Sequence, residues 1–231
     1  SSWAATINAA SCSQADVQSA INSAATGDTV SVPAGSCTWT AYVSIPSTKK
    51  ITLQGAGKSS TIITMSPAGY AFELGRSGSR ITGIGFKNGR IDTEGYDFRV
   101  DHCDFNNDLL STTIVIENSI ANTPDIPTGL IDHNTFNYGR VLSRGTLATA
   151  AGENYLWANS LNLGSAEAVY VEDNVFTTTA STSLEAMDWN YGGRIVYRYN
   201  TSTGCYLYLH PLQQANHRAM RKWEVYGNII N

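Results

Sequence analysis

The chain has 231 residues and a net charge of −4, and only 15% of its residues are charged, against about a quarter in an average globular protein. This length suits one large all-β domain or two small ones. Nucleic-acid-binding proteins usually show a basic face, and a membrane span needs roughly 20 apolar residues in a row. The sequence has neither feature, so we expect no nucleic-acid partner and no membrane span.

The first predicted element is a short helix over residues 13–26. Val17 and Ile21 are spaced as on one helical face, with Ser13 as a plausible N-cap and Gly27 as the stop signal. Short strand-like stretches bounded by turns follow this segment. We therefore expect the helix to cover the first open strand edge, which would otherwise offer unpaired backbone groups to another strand.

The four cysteines divide into two pairs with different expected roles. Cys12 and Cys37 flank the predicted helical cap, and a disulfide between them would contribute roughly 3 kcal/mol by the chain-entropy estimate. Cys103 and Cys205 lie inside apolar strand patterns, so we expect free, buried thiols there. The sequence shows no cysteine and histidine spacing typical of zinc sites.

The start of the chain bears on where the protein works. The sequence opens SSWAATINAASC, with neither an initiator Met nor a signal peptide, as in a mature chain cut from a precursor. Structural disulfides persist in oxidising compartments. We therefore expect a secreted protein, located outside the cell or at the cell surface.

A repeated phrase dominates the rest of the chain. VDHCDF at residues 100–105 returns as IDHNTF at residues 131–136, and decayed copies follow at intervals of roughly 25–40 residues, in the range of stacked-repeat architectures. One column of the repeat contains Cys103, Asn134, Asn174, Asn200 and Asn228. Asn tolerates the left-handed conformation of tight turns, and stacked amides can form hydrogen-bonded ladders. The Asp-His pair of the phrase decays in later copies while the Asn column persists, which favours an architectural role for the phrase.

These strand-turn repeats predict a fold. Helical patterns are nearly absent after residue 26, so strands alternating with helices are not expected. The pattern predicts an all-β parallel β-helix (solenoid) with a short N-terminal capping helix. We expect one domain over residues 1–231 with roughly eight coils, estimated from the repeat length.

The N-terminal third resembles a known superfamily. DVQSAINSAATGDTVSVPAG followed by ITLQGAGKSSTIIT resembles the first coils of the pectate-lyase-like right-handed parallel β-helix proteins. The match covers residues 13–65, and the coil pattern continues to the end of the chain. The resemblance implies a right-handed parallel β-helix. Members of this superfamily have unrelated roles, so it implies less about activity.

Two shorter phrases resemble the lyases of that superfamily. VDHCDF resembles their WIDHCTF phrase, and NHRAMRKWEVYGNIIN resembles their segment with two arginines before a strand that ends in Asn-Asn. In those lyases an arginine removes the proton α to a uronate carboxylate, and calcium held by Asp and Glu on neighbouring coils acidifies that proton. This chain departs from the pattern: Val100 does not supply the Trp-Ile pair, the arginine segment lacks the lyase proline, and no Asp-x-x-x-Asp set follows one coil later.

Acidic residues recur at one position of the repeat. If Val100 and Ile131 point inward, the residues after them point outward, because side chains alternate along a strand. Asp101, Asp132 and Glu172 would then form a column that could bind calcium, which prefers several oxygen ligands. The alternative is that insertions between the coils break the alignment and the carboxylates are solvated.

The last third of the chain mixes basic and aromatic residues. Arginine side chains bind carboxylates and aromatic faces cover sugar rings, so this mixture suits a carboxylated glycan. The predicted catalytic residues are Arg218, Arg221, His210 and Asp188. The predicted substrate-binding residues are Arg194, Arg198, Trp189, Tyr191, Tyr208 and His217. The alternative is a solvated basic rim over Tyr and Trp side chains packed in the core.

Two classes of function remain open from the sequence. We predict an exported protein that acts on an acidic polysaccharide, as a lyase or as a glycoside hydrolase with paired carboxylates. The alternative is a non-catalytic structural, fibre or filament subunit, or a glycan-binding surface protein. WEVYGNIIN shows no polar cap, and solenoids normally need one. Three explanations compete: the chain is cut short, a long insertion at residues 119–130 or 144–168 covers the end, or the protein self-associates through the C-terminal coil.

Overall fold

The computed structural model describes residues 3–75, 77–107, 112–117, 126–144, 158, 160–178, 184–190, 192–209 and 219–231. In these ranges the chain forms one helix of ten residues, α1 (Gln14–Ser23), and many short strands. All strand pairs in them are parallel, and they form two sheets. No helix in this part of the chain is long and apolar enough to cross a membrane.

Sheet A has nine strands and runs the length of the molecule. In spatial order it contains β1 (Thr6–Asn8), β2 (Thr29–Val32), β5 (Thr52–Gly55), β7 (Arg80–Thr82), β9 (Phe98–Asp101), β12 (Gly129–Asp132), β15 (Val169–Glu172), β18 (Arg194–Arg198) and β21 (Lys222–Tyr226).

Sheet B has 13 strands in two branches that share its long strands. The shared strands are β6 (Thr61–Leu74) and β8 (Gly85–Thr93). The first branch contains β3 (Gly35–Trp39), β10 (Asp104–Asn106), β13 (Thr135–Asn137), β16 (Val175–Thr177), β19 (Thr201–Thr203) and β22 (Ile229–Ile230). The second branch contains β4 (Val43–Ile45), β11 (Thr112–Glu117), β14 (Arg140–Arg144), β17 (Leu184–Asn190) and β20 (Cys205–Leu209).

The chain runs through sheet A and the two branches of sheet B in a fixed order. It passes from a strand of sheet A to the first branch, then to the second branch, and then to the next strand of sheet A. After β1, the remaining eight strands of sheet A belong to eight successive coils in the described part of the chain. The fold is therefore mostly β, parallel and β-helix-like, in agreement with the sequence pattern and with the predicted number of coils.

The helix lies where the sequence predicts it but is shorter. The Ser13 side chain accepts a hydrogen bond from the Asp16 N–H at 3.2 Å, and α1 packs against β1, β2 and β4. Val17 and Ile21 are buried, as the helical spacing requires. The helix ends at Ser23 because Ala24 adopts an extended conformation, and Gly27 then turns the chain into β2 with φ +98°.

The cysteine predictions are confirmed. Cys12 and Cys37 form a disulfide with their Cα atoms 5.8 Å apart. The Trp39 indole donates to the Cys12 carbonyl at 2.9 Å, which anchors the start of the helix to β3. Cys103 and Cys205 are buried free thiols, and burial raises the pKa of Cys103 to about 12.

The Asn column links each coil to the next at the turn between sheet A and the first branch. The Asn134, Asn174, Asn200 and Asn228 side chains each accept the backbone N–H of the column residue one coil earlier, at 2.8–3.0 Å. Each side chain also donates to a sheet A carbonyl of that earlier coil, such as Val100 for Asn134. The column therefore provides a hydrogen-bond partner for one backbone N–H and one backbone carbonyl at each turn.

The left-handed residue of this turn is the one before the column residue, in contrast to the sequence expectation. His102, His133, Asp173 and Tyr199 have φ values of 53–56°, and Gly227 has φ 67° in the last coil. His102 adopts this conformation before Cys103 as the others do before Asn, so the conformation belongs to the turn position, where a non-glycine residue carries a modest cost.

A phenylalanine stack fills the interior behind this turn. Phe86, Phe105, Phe136 and Phe176 lie directly opposite one another in register. Their ring centroids are 4.9, 5.0 and 4.4 Å apart, and the rings are nearly parallel. The register that the sequence repeat suggested is therefore the register of the strands.

We expect Asn174→Ala to destabilise the protein by about 1–3 kcal/mol, because the buried N–H of Asn134 and the carbonyl of Ile131 would lose their partners. Denaturant unfolding measures this change in the free energy of unfolding. Asn106→Ala, at an exposed position of β10, is the matched control and should change the free energy little. Equal losses for the two variants would contradict the bridging role.

Candidate functional site

The acidic column on the outer face of sheet A is aligned, as the repeat predicted. Asp101, Asp132 and Glu172 lie opposite one another on β9, β12 and β15. Insertions between the coils therefore do not break the alignment. The Asp101 and Asp132 carboxylates are buried, however, so they are not solvated side chains.

Each carboxylate of the column is held by an arginine. Arg80 donates to both oxygens of Asp101 at 2.6 and 2.5 Å, and Arg99 donates to both oxygens of Asp132 at 2.9 and 2.7 Å. Arg198 pairs with Glu172. Burial alone would raise the pKa of Asp101, but the hydrogen bonds from Arg80 and His102 outweigh it, and the pKa lies below its usual value.

This column as it stands does not fit calcium. Calcium takes six to eight oxygen ligands, whereas the carboxylate oxygens here accept hydrogen bonds from guanidinium groups. Among the residues that the structure describes, no group of three or more His, Cys, Asp or Glu side chains is placed to hold a metal ion. Calcium at Asp101, Asp132 and Glu172 stays a prediction, and it would require the arginines to move aside.

The second branch of sheet B presents a different cluster on its outer face, which we call the Asp188 cluster: Arg140, Glu185, Asp188, Tyr206 and Tyr208. Arg140 Nη1 pairs with Glu185 and lies 3.1 Å from an Asp188 oxygen. The Tyr206 hydroxyl donates to the other Glu185 oxygen at 3.1 Å. Burial and this hydrogen bond raise the pKa of Tyr206.

The two tyrosines are the exposed part of the Asp188 cluster. Tyr206 and Tyr208 are 40% and 41% exposed, and their rings meet edge to face at 6.1 Å. Asp188 is buried beneath them, opposite Tyr208 in the strand register. The cluster thus combines exposed aromatic faces with a buried carboxylate and a guanidinium.

The predicted basic residues lie mostly at the strand starts of sheet A. Arg194 is buried, donates to the Ser160 carbonyl at 2.7 Å, and lies opposite Lys222. Burial and the charge of Arg221 lower its pKa. Residues 191–193 connect the strand that holds Asp188 to the strand that starts at Arg194. Arg194 is therefore enclosed, and it does not form a solvated basic rim.

Two further predicted binding residues, Trp189 and Arg198, make contacts that hold the fold together. Trp189 is fully buried and packs edge to face on Tyr197, so it belongs to the core and offers no face to a sugar. Arg198 is engaged by Glu172 and lies over the Tyr170 ring, 4.6 Å from its centroid. The predicted residues Tyr191, His210, His217 and Arg218 lie outside the described residues.

A second cluster on the same face was not predicted from the sequence. We call it the tyrosine pocket: a cavity of about 250 Å³ lined by Tyr42, Tyr70, Glu73 and Asp92. Glu73 and Asp92 lie opposite each other on β6 and β8. The Arg90 guanidinium lies 3.6 Å from the centroid of the Tyr70 ring and 3.3 Å from an Asp92 oxygen.

The two clusters share one column of the second branch. In register this column runs Ser44, Glu73, Asp92, Val115, Leu142, Asp188 and Tyr208. The alternation in FEL and RID could have marked Glu73, Arg90 and Asp92 as outward-facing, whereas Tyr70 does not follow this alternation because the register shifts between Tyr70 and Phe72. The repeat phrase did not reveal them, because it covers only sheet A, the turn and the first branch.

Comparisons with known proteins give little beyond these observations. No protein-family model matches the chain, and no curated protein matches it. Among solved structures, ORF18 of Geobacillus virus E2 aligns over 97% of this chain and 47% of its own, with 16% identity and a TM-score of 0.33. The PL6 family alginate lyase AlyGC aligns over 98% of this chain and 40% of its own, with 13% identity and a TM-score of 0.43. The chain thus spans less than half the length of either structure.

We expect Asp101→Asn to lower the free energy of unfolding by about 1–3 kcal/mol at neutral pH, because Arg80 and His102 lose an ionised partner. The folded pKa lies below the unfolded value of about 3.9, so this stabilisation is present above that pH and is lost as the pH falls through the folded value. Denaturant unfolding between pH 7 and about pH 3 measures the difference.

The matched control is Asp97→Asn, which removes an exposed ion pair with Lys50. Exposed pairs contribute about 0–1 kcal/mol, so this variant should resemble the unsubstituted protein at every pH. A difference for Asp101→Asn that stays constant down to the lowest pH would contradict the assignment.

Proposed function

We propose that this chain is an exported right-handed parallel β-helix protein that binds an acidic polysaccharide along the second branch of sheet B. It cleaves the polysaccharide there as a lyase or a glycoside hydrolase. The disulfide between Cys12 and Cys37 supports the extracellular location. The glycan would run parallel to the axis on which the coils stack.

The proposal depends on one observation: the outward column of the second branch has a cluster of the same composition near each end. Both the tyrosine pocket and the Asp188 cluster combine two tyrosines, two carboxylates and one arginine. From Glu73 to Tyr208 the column crosses five strand spacings of about 4.8 Å each, or about 24 Å. A glycan that contacts both clusters would therefore have to span about 24 Å.

The composition of the clusters suits glycan chemistry. Tyrosine faces cover the apolar faces of sugar rings, carboxylates accept hydrogen bonds from hydroxyl groups, and a guanidinium fits the carboxylate of a uronate. Arg90 and Arg140 are the guanidinium groups on this column. The Glu185 and Asp188 carboxylates flank Arg140, and they offer the paired acids that hydrolysis requires.

Elimination would use a different set of residues. A lyase needs a base near the α proton of the uronate, and Arg221, Arg218 and His210 remain the proposed candidates for this role. Arg221 directly precedes β21, and its backbone N–H bonds to the Gly193 carbonyl at 2.9 Å, next to the connection that follows the Asp188 strand. Calcium remains a proposed cofactor for this route.

The test is a product assay on a panel of uronate polysaccharides, with added calcium and with a chelator. A lyase would produce the ultraviolet absorbance of unsaturated uronate ends, whereas a hydrolase would release reducing ends without that absorbance. We expect one of these signals on at least one substrate. No product from any substrate would overturn the catalytic proposal.

On a cleaved substrate, we expect Asp188→Asn to lower kcat/KM at least about 100-fold, as removal of an acid-base group typically does. The Asp97→Asn variant is the control, because its carboxylate is exposed and lies away from the column. Circular dichroism and unfolding curves establish that both variants are folded. Equal activity of Asp188→Asn and the control would exclude Asp188 from the chemistry.

A specific observation also favours the second candidate function, a subunit that self-associates. Trp223, Tyr226, Ile229 and Ile230 on β21 and β22 are 41–59% exposed. In the described part of the chain these two strands have no neighbour on their outer side. Edge strands with exposed apolar side chains are ready templates for pairing with another chain.

If this end joins two copies, the molar mass from light scattering should rise above 24.9 kDa with increasing concentration. Ile229→Lys should restore the monomer, because it places a charge on the edge strand. Tyr96→Lys, at another exposed aromatic residue, should leave the association unchanged. A monomer at every concentration would exclude self-association through this end.

A further inference from the structure

The two Asp-His pairs of the repeat lie side by side on the turn after sheet A. His102 and His133 have φ values of 53° and 55°, and this left-handed conformation turns both side chains outward. Their rings stack with centroids 5.1 Å apart and only 3° between the ring planes. The side chains are 58% and 53% exposed, so both rings are open to solvent at one edge.

The preceding aspartate fixes which ring nitrogen carries the hydrogen. His102 Nδ1 lies 2.7 Å from an Asp101 oxygen, and His133 Nδ1 lies 2.8 Å from an Asp132 oxygen. A carboxylate only accepts hydrogen bonds, so Nδ1 donates in each pair. Nε2 of each neutral ring then keeps its lone pair.

The aspartates are themselves held in place. Asp101 is bound by Arg80 and Asp132 by Arg99, each through two hydrogen bonds. The imidazoles therefore rest on buried carboxylates, and the partly exposed side chains of Arg80 and Arg99 hold these carboxylates in place. A carboxylate that accepts from the second ring nitrogen is the arrangement that orients metal-binding histidines and raises their basicity.

We propose that His102 and His133 bind one divalent transition-metal ion, such as Zn²⁺ or Ni²⁺, through their Nε2 atoms. Imidazole suits these ions, whereas calcium prefers oxygen ligands. This site is distinct from the carboxylate column, because Asp101 and Asp132 act behind the histidines and not as ligands.

Binding one ion requires both rings to move. Metal–nitrogen distances of about 2.0–2.1 Å require the two Nε2 atoms to lie within about 4 Å, whereas the ring centroids are 5.1 Å apart. Each Nε2 lone pair lies in its ring plane and the two planes are parallel, so the rings must also tilt toward each other for both lone pairs to reach the ion. No third His, Cys, Asp or Glu of the described chain is placed to join them. Water completes the coordination, and the affinity is lower than at a structural zinc site with four protein ligands.

The test is calorimetric titration of the full, tag-free chain with NiCl₂ or ZnCl₂, and with CaCl₂ as a comparison ion. We expect one nickel or zinc ion per chain. His102→Asn and His133→Asn should each weaken binding at least tenfold, and Asn keeps the left-handed turn favourable. Asp132→Asn should weaken binding by about 10–100-fold, as loss of an outer-shell carboxylate does.

The chain has two other histidines, His210 and His217, which provide the matched control. A variant with His210→Asn and His217→Asn should keep the site. A second readout is the thermal midpoint, which added nickel should raise in the unsubstituted chain but not in His102→Asn or His133→Asn, because a ligand that binds the folded state stabilises it. Absence of binding, or binding that survives both single variants, would overturn the proposal.

Discussion

The turn between sheet A and the first branch depends on the side-chain amides of the Asn column. This turn bends the backbone sharply inside a stack of coils, where water cannot satisfy its N–H and carbonyl groups. Each Asn accepts the N–H of one coil and donates to a carbonyl of the same coil, so every coil is bonded to the next at the same place. A buried group without such a partner would cost about 1–3 kcal/mol, and the bonding of each coil thus fixes the position of the following one.

The constant register then determines what the outer faces can do. Because coils repeat at one strand spacing, residues at equivalent positions form straight columns on the outer faces. On sheet A the column is ionic, with Arg80 and Arg99 each bound to an aspartate of the next coil. On the second branch the column has tyrosine, carboxylate and arginine clusters separated by the buried residues Val115 and Leu142. These two faces suit different ligands.

The Asp-His pairs connect architecture with chemistry. Each histidine occupies the left-handed turn position before the column residue, Cys103 or Asn134, and the aspartate ends the strand where an arginine reaches it. The pair was therefore placed by the needs of the turn and of the ionic column. The same placement leaves two parallel imidazoles at the surface, each held at Nδ1 by an aspartate, and our metal-site proposal starts from this arrangement.

Sequence alone determined the features that repeat along the chain and those that a local pattern marks. The repeat predicted the Asn column and the Phe register. Helical spacing with an N-cap predicted the helix after Ser13, and the two cysteines that flank this helix predicted the disulfide between Cys12 and Cys37. The alignment of Asp101 with Asp132 also followed from the repeat. Their arginine partners did not, because each pair joins different coils, and only the stacking of the coils brings Arg99 to Asp132. Tyr42 and Tyr70 likewise meet Glu73 and Asp92 only in the folded chain, and Trp189 is buried because β17 turns that side chain inward. The repeat places equivalent residues side by side, but contacts between residues at different positions of neighbouring coils depend on the tertiary structure, which local patterns do not encode.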